Sequence, residues 1–239
     1  MTRDLAVRLG RTTMSIPIER RTVILCDDVS KARAVVDACV GAGVRGVRAD
    51  EGSRSTVQES IPRRTDEALI ERVRTALRLD ADILQWRPRE SSPLQRLIAA
   101  SFLALAAGAD TLVFDLTTMA DSAFDAAHAC AHLRRIADGL DVAVMAVIAD
   151  PALLSSAGTH LVVVSEDAVV ESGPVAALLA APRSDALRRR LEATPVPNPM
   201  AMQMRRVQRV ATRPVNYAHT TIIDLPTADS VTLAGGEER

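Results

Sequence analysis

The chain has 239 residues, of which 48% are hydrophobic and only 2% aromatic. This length suits one α/β domain with a small appendage, and its core must be aliphatic. A formal net charge of −1 gives no electrostatic case for binding nucleic acid or an anionic membrane surface. Residues 1–7 carry charges and no apolar segment, so we expect no signal peptide. The longest apolar stretch, about 98–107, is too short to span a bilayer, and we expect a cytoplasmic protein.

The predicted elements alternate between strands and helices along the chain. In order, the patterns predict a strand at 22–26, a helix at 30–42, a strand at 44–48, a loop at 51–64, and helices at 66–79 and 94–107. They then predict a strand at 111–114, a helix at 121–137, a strand at 142–148, a short helix at 151–157, strands at 161–164 and 168–171, and helices at 174–180 and 184–193. Strands that alternate with helices indicate an α/β fold with a mostly parallel sheet.

Two segments carry motif-like patterns at a fixed spacing. LVFD at 112–115 is an apolar strand that ends in Asp115, and it resembles a Walker B strand, whose Asp helps to hold Mg²⁺. Upstream, PRESSPLQR at 88–96 resembles PHELSGGQR, the signature sequence of ATP-binding cassette (ABC) ATPases. The distance between the two segments agrees with that family.

Further segments continue the resemblance in the same order. VAVMAVIAD at 142–150 resembles the strand that ends in the family's switch His-Asp, and 161–174 resembles its closing hairpin. RDL at 3–5 and SIP at 15–17 resemble its first strands. The segments 181–191 and 194–199 resemble the end of the dipeptide and oligopeptide importer ATPases. Over about residues 3–199 the chain thus resembles the ATP-binding subunits of ABC transporters.

This resemblance implies a P-loop NTPase-like sheet flanked by helices, with a reduced helical subdomain. We expect an ABC ATPase-like domain over 1–199, a helical subdomain remnant at about 60–95, and a C-terminal tail over 200–239. The cofactors implied are ATP and Mg²⁺. The positions that match the family's nucleotide-binding residues are Lys31, Ser92, Gln95, Asp115 and Asp150, with Asp115 also the metal position.

The sequence departs from the family at almost every residue that handles ATP. A P-loop reads GxxxxGK[ST], and its glycines let backbone N–H groups surround phosphate. The matching segment, CDDVSKAR at 26–33, is shortened and has no glycine. The other substituted positions are Ala32 for the Mg²⁺-binding hydroxyl, Pro93 and Leu94 for the signature glycines, Leu116 for the catalytic carboxylate and Ala149 for the switch His. We expect ATP binding to be weak or lost, and we assign no catalytic residue.

Each retained residue also has a purely structural interpretation. Lys31, the only lysine, could be a solvated residue in a first helical turn, Ser92 a helix cap, and Asp115 a turn residue. The triplet Arg188-Arg189-Arg190 is expected to be a solvated helix face.

Three functions follow from these observations. The first is a non-hydrolytic subunit or accessory protein of a peptide-type transport system, which pairs with another ABC ATPase subunit or a transporter membrane subunit at the inner face of the membrane. The second is a weak ATP sensor that uses Lys31 and Asp115. The third is an unrelated α/β enzyme with a metal site lined by Asp27, Asp28, Asp115 and Asp150 at the carboxyl edge of the sheet.

Overall fold

The computed structural model describes residues 3–49, 52–119 and 122–193. The tail predicted over 200–239 lies outside the described residues. Within the described ranges, no helix has both the length and the apolar character needed to cross a bilayer.

The chain begins with an antiparallel hairpin made of β1 (Arg3–Leu9) and β2 (Thr12–Ile18). Buried and exposed residues alternate along both strands, so one face of the hairpin packs on the core. Gly10 lies in the turn with φ of 59°, a left-handed conformation that glycine adopts at low cost. The predicted first strands at 3–5 and 15–17 are confirmed as parts of these two strands.

The remaining elements build an α/β sheet with helices on both faces. They are β3 (Arg21–Cys26), α1 (Val29–Gly41), β4 (Arg45–Val47), α2 (Val57–Ser60), α3 (Glu67–Ala76), α4 (Pro93–Ala106) and β5 (Thr111–Asp115). After these come α5 (Ala123–Leu140), β6 (Ala143–Ile148), α6 (Leu154–Ala157), β7 (His160–Ser165), β8 (Ala168–Pro174), α7 (Val175–Ala180) and α8 (Asp185–Ala193). Short 3-10 turns join several of them.

The main sheet has six strands in the order β4-β5-β6-β3-β7-β8. All neighbours pair in parallel except β7 and β8, which form the closing antiparallel hairpin. The prediction of a mostly parallel sheet flanked by helices is therefore confirmed. The segment between β4 and α4, where the sequence predicts a reduced helical subdomain, contains α2, α3 and two 3-10 turns.

The sheet separates two hydrophobic cores, and its strands contribute to both. In β3, Val23 and Leu25 belong to the core that contains α4 and α5, whereas Ile24 and Cys26 belong to the core that contains α1 and the first hairpin. Because successive side chains of a strand point to opposite faces, a sheet covered on both sides needs a continuous apolar run. This explains why the central strands were readable from the sequence.

One local prediction was wrong, and one confirmed helix, α5, starts later than predicted. The segment predicted as a loop over 51–64 contains α2, which begins with a capping box in which Thr56 Oγ1 accepts from Glu59 N at 3.2 Å and Glu59 Oε2 accepts from Thr56 N at 2.9 Å. The helix predicted over 121–137 begins at Ala123, and its cap is Ser122, whose Oγ accepts from Asp125 N.

Candidate functional site

The carboxyl ends of the parallel strands meet at one edge of the sheet, which is the usual ligand edge of open α/β folds. Asp27 and Asp28 follow β3, Asp115 is the last residue of β5, and Asp150 comes shortly after β6. The sequence places its predicted nucleotide-binding residues at this edge and at the start of α4.

The connection between β3 and α1 consists of Asp27 and Asp28 alone. Asp28 is the N-cap of α1, and its Oδ1 accepts from Lys31 N at 2.8 Å. Its carbonyl oxygen accepts from Ala32 N at 3.0 Å, as the first hydrogen bond of the helix requires. Two N–H groups in the first turn of α1, those of Lys31 and Ala32, are thus bonded to Asp28.

Lys31 extends from the first turn of α1 to the β7–β8 turn, where its Nζ forms an ion pair with Asp167 Oδ1. The hydrogen bond from Lys31 to Asp167 raises the pKa of the lysine. Glu166 and Asp167 form the two-residue turn with φ of 50° and 64°, the left-handed pair that a tight hairpin needs. The structural interpretation of Lys31 as a solvated residue is therefore incomplete, because its ammonium is bonded to a carboxylate of the same chain.

Asp115 is fully buried at the end of β5. Its Oδ1 accepts from Thr117 N at 3.0 Å and from Thr117 Oγ1 at 2.5 Å, which closes a turn after the strand. Among the described residues, Asp115 Oδ2 is buried and has no hydrogen-bond partner. The next residue, Leu116, is 1% exposed, and its N–H donates to Val147 O at 3.1 Å.

Ser92 and Gln95 form a capping box at the start of α4. Ser92 Oγ accepts from Gln95 N at 3.2 Å, and Gln95 Oε1 accepts from Ser92 N at 3.0 Å. Pro93 occupies the first helical position, where a missing N–H costs nothing. The structure thus brings these two predicted residues together, and it uses both of their side chains to begin the helix.

The end of β6 is occupied by an arginine from the last described helix. Arg190 in α8 donates through Nη2 to Cys26 O at 3.1 Å and also to Ala149 O. Asp150, which the sequence resemblance matches to the switch Asp, accepts from Ala152 N at 2.9 Å and caps a 3-10 turn. The expectation of a solvated face was wrong for Arg190, which sequence analysis missed because its partners are distant along the chain.

The four carboxylates Asp27, Asp28, Asp115 and Asp150 do not form a metal site. In the described part of the chain, no group of three or more His, Cys, Asp or Glu residues is arranged to hold a metal ion. The alternative of an enzyme with a carboxylate-lined metal centre was therefore wrong for these residues. Asp28, Asp115 and Asp150 instead each accept hydrogen bonds from nearby backbone N–H groups.

Comparison with known proteins supports the fold assignment. The sequence matches no protein-family model and no curated protein. Among solved structures, it is similar to cbiO1 from Clostridium perfringens, part of the ABC transporter complex cbiONQ, with a TM-score of 0.59, 10% identity, and coverage of 88% of this chain and 97% of that chain.

Two further solved structures give the same result. The chain is similar to an ATP-binding cassette of an ABC transporter in its ADP conformation, with a TM-score of 0.56, 14% identity, and coverage of 76% of this chain and 94% of that one. It is also similar to a bacterial Atm1-family ABC exporter with ATP bound, with a TM-score of 0.52 and 13% identity. Here 82% of this chain is covered, and the chain spans 42% of the exporter. The protein has the fold of an ABC transporter ATPase domain.

Proposed function

We propose that the protein is a non-hydrolytic ABC-ATPase-like subunit or accessory protein of a transport system. The observation that carries this proposal is the two-residue connection between β3 and α1, capped by Asp28. A phosphate-binding loop needs several residues and positive-φ glycines to turn its N–H groups toward a nucleotide. Here Lys31 N and Ala32 N in the first turn of α1 bond to Asp28, and Asp27 and Asp28 make the connection acidic.

The residues present do not fit Mg-ATP. The hydroxyl that would bind Mg²⁺ is replaced by Ala32, which is fully buried. Asp115 has a buried Oδ2 without a partner among the described residues, but one enclosed carboxylate oxygen cannot satisfy the octahedral coordination of Mg²⁺. Lys31, the residue that would approach the phosphates, is paired with Asp167.

The side chains that would catalyse ATP hydrolysis are also replaced in this chain. A general base must accept a proton from the attacking water, and the position after Asp115 is Leu116, buried and apolar. The switch position is Ala149, whose carbonyl oxygen accepts from Arg190. We therefore propose a structural or regulatory role in which any ATP hydrolysis takes place on another subunit.

The proposed partners are a second ABC ATPase subunit or a transporter membrane subunit. The solved structures similar to this chain include components of transporters, and the segments at 181–191 and 194–199 resemble the end of peptide importer ATPases. We propose that the protein acts in the cytoplasm at the inner face of the membrane, in a peptide-type system. The domain over 1–199, with its reduced helical subdomain at about 60–95, would provide the contact surface.

Calorimetric titration of the purified full chain with Mg-ATP tests the absence of a nucleotide site. We expect no saturable heat at millimolar nucleotide. Saturable binding that is lost in Lys31→Ala and in Asp115→Ala would overturn the proposal and establish the protein as an ATP sensor. Binding that survives both substitutions would equally contradict a lost site, and would place the nucleotide elsewhere.

Copurification tests the partner. The protein, coexpressed with the ATPase and membrane subunits of a peptide transport system from the same genome, is expected to copurify with the assembled complex. Recovery of the complex without this protein would contradict the assignment to peptide transport.

A further inference from the structure

Arg190 joins two neighbouring strands just beyond the point where their pairing ends. In the parallel ladder of β3 and β6, the last paired residues are Leu25 and Ile148. Cys26 and Ala149 are the next residues along each strand, and the carbonyl oxygens of both accept from Arg190 Nη2. The guanidinium therefore links the two strands just beyond their last paired residues.

The helix that carries Arg190 is fixed to the sheet at its opposite end. Glu171 in β8 is 8% exposed, and it accepts from Arg183 N at 2.8 Å, Ser184 N at 2.9 Å and Ser184 Oγ at 2.6 Å. Burial raises the pKa of Glu171, but the hydrogen bonds from Ser184 and Arg183 outweigh it and the pKa lies below its ordinary value. Leu187, between the two contacts, is fully buried.

The edge that Arg190 contacts carries several acidic residues. The carbonyl groups at the ends of parallel strands point out of the edge, and Asp27, Asp28, Asp115 and Asp150 lie at or just after those ends. In open α/β folds this edge normally holds a ligand. In this chain the positive groups at the edge come from the protein itself, as Lys31 bonded to Asp167 and Arg190 bonded to the strand ends.

We propose that α8 is a built-in strap across the ligand edge, and that Arg190 replaces a bound ligand as the group that holds the ends of β3 and β6 together. Glu171 fixes the start of the strap, and Arg190 fixes its last turn. The strap keeps the segments after β3 and β6 ordered in the free protein. This inference rests on the proposed function, because it requires an edge that nucleotide does not occupy.

Hydrogen exchange of the full chain, followed by mass spectrometry, tests the strap. In Arg190→Ala we expect amide exchange at 27–32 and 150–154 to become at least tenfold faster, while β1 and β2 stay unchanged. The matched control is Arg189→Ala, since Arg189 is exposed and its hydrogen bond to Asp185 O stays within α8. Equal exchange in the two variants would overturn the strap.

Two lysine substitutions, Arg190→Lys and Arg189→Lys, provide the same test if Arg190→Ala does not fold. Lysine retains the charge but lacks the planar fork that joins two acceptors. Arg190→Lys should therefore exchange about threefold faster at the same segments than the control Arg189→Lys. No difference between these two lysine variants would also overturn the strap.

Adding Mg-ATP separates failure of the strap from failure of the proposed function. Nucleotide should leave exchange at 27–32 unchanged in the wild type. Slower exchange there with nucleotide would contradict both the proposed function and the strap's replacement of a ligand. If Arg190→Ala and Arg189→Ala show equal amide exchange and nucleotide has no effect, the strap is rejected and the proposed function stands.

Discussion

Lys31 in the first turn of α1 forms an ion pair with Asp167 in the β7–β8 turn, 136 positions further along the chain. In the sequence, Lys31 stands where a P-loop lysine would approach phosphate. In the structure, the ammonium is bonded to a carboxylate of the same chain. The pair also joins the start of α1 to the closing hairpin.

A double-mutant cycle measures this ion pair. From Lys31→Ala, Asp167→Ala and the double variant, we expect a coupling energy of about 0.2–1 kcal/mol at pH 7, because both side chains are partly exposed. The measurement is urea unfolding followed by circular dichroism. The pKa of Lys31 is raised in the folded protein. The coupling energy should therefore be fully present at any pH below the ordinary pKa of lysine, and it should disappear as the pH rises through the raised pKa. Coupling that is unchanged in 1 M NaCl would contradict an exposed pair.

Ser92 is expected to stabilise α4 through its cap. Ser92→Ala should lower the free energy of unfolding by about 1 kcal/mol. Ser92→Asp should retain most of the stabilisation that the cap provides, because aspartate also caps helices. Chemical denaturation of the three proteins provides the measurement. If the alanine variant is as stable as the wild type, the capping box observed with Gln95 does not contribute.

Asp115 is expected to act as a turn residue. Asp115→Ala leaves the N–H and hydroxyl of Thr117 without their acceptor, which should cost roughly 1–3 kcal/mol. Asp115→Asn keeps an acceptor oxygen at that place, so we expect it to lie within about 1 kcal/mol of the wild type. Thermal and urea unfolding distinguish the two, and an asparagine variant as unstable as the alanine one would show that the charge itself is needed.

Replacing Leu116 with glutamate should not create an ATPase. Leu116 is 1% exposed, so Leu116→Glu would bury a carboxylate without a cationic partner and should cost about 3 kcal/mol or more. Leu116→Met, which conserves volume, should cost less than about 1.5 kcal/mol. Phosphate release in the glutamate variant should equal that of the wild type, and a gain in release would contradict the loss of the phosphate-binding loop.

His132 is a buried histidine between α4 and α5. Its Nε2 lies 2.7 Å from Ser101 Oγ, which donates to Ile98 O at 2.8 Å. Ser101 has one hydroxyl proton, so when it donates to Ile98 O, Nε2–H of a neutral imidazole donates to Ser101. Burial, and secondly the charge of Arg135, lower the pKa of His132 to about 3.

This environment predicts a loss of stability in acid. The unfolded chain protonates His132 near pH 6.5, while the folded chain keeps it neutral, so stability falls as pH drops from about 6.5 toward 3. The slope from this residue is at most about 1.4 kcal/mol per pH unit. Urea unfolding between pH 7 and 4.5 should show this slope in the wild type and in the exposed control His128→Gln, but not in His132→Gln. Three identical profiles would contradict it.

The buried strands of the sheet could be predicted from the sequence because the sheet is covered on both faces. The run at 142–148 reads as a buried strand, and the structure has β6 there, as Ala143–Ile148. The helix α2 was missed because four residues contain barely one turn and show no helical period. Its only signal was the Thr56-x-x-Glu59 capping pattern, which the polar composition around it concealed.

The edge of the sheet was only partly predictable. The missing glycines and the shortened segment before Lys31 are local features, so the sequence indicated them directly. The partners of Lys31 and Arg190 were not predictable, because Asp167, Cys26 and Ala149 are brought near them only by the order of the strands. No local pattern distinguishes Arg190 from its exposed neighbours Arg188 and Arg189.

The short connection between β3 and α1 also has a consequence for engineering. Asp28 and Val29 are exposed, so residues added at this junction would extend into solvent rather than into either core. The entropic cost of a longer loop rises by only about 0.6 kcal/mol for each doubling of its length. A glycine-rich segment could therefore be inserted at this junction while both cores stay intact.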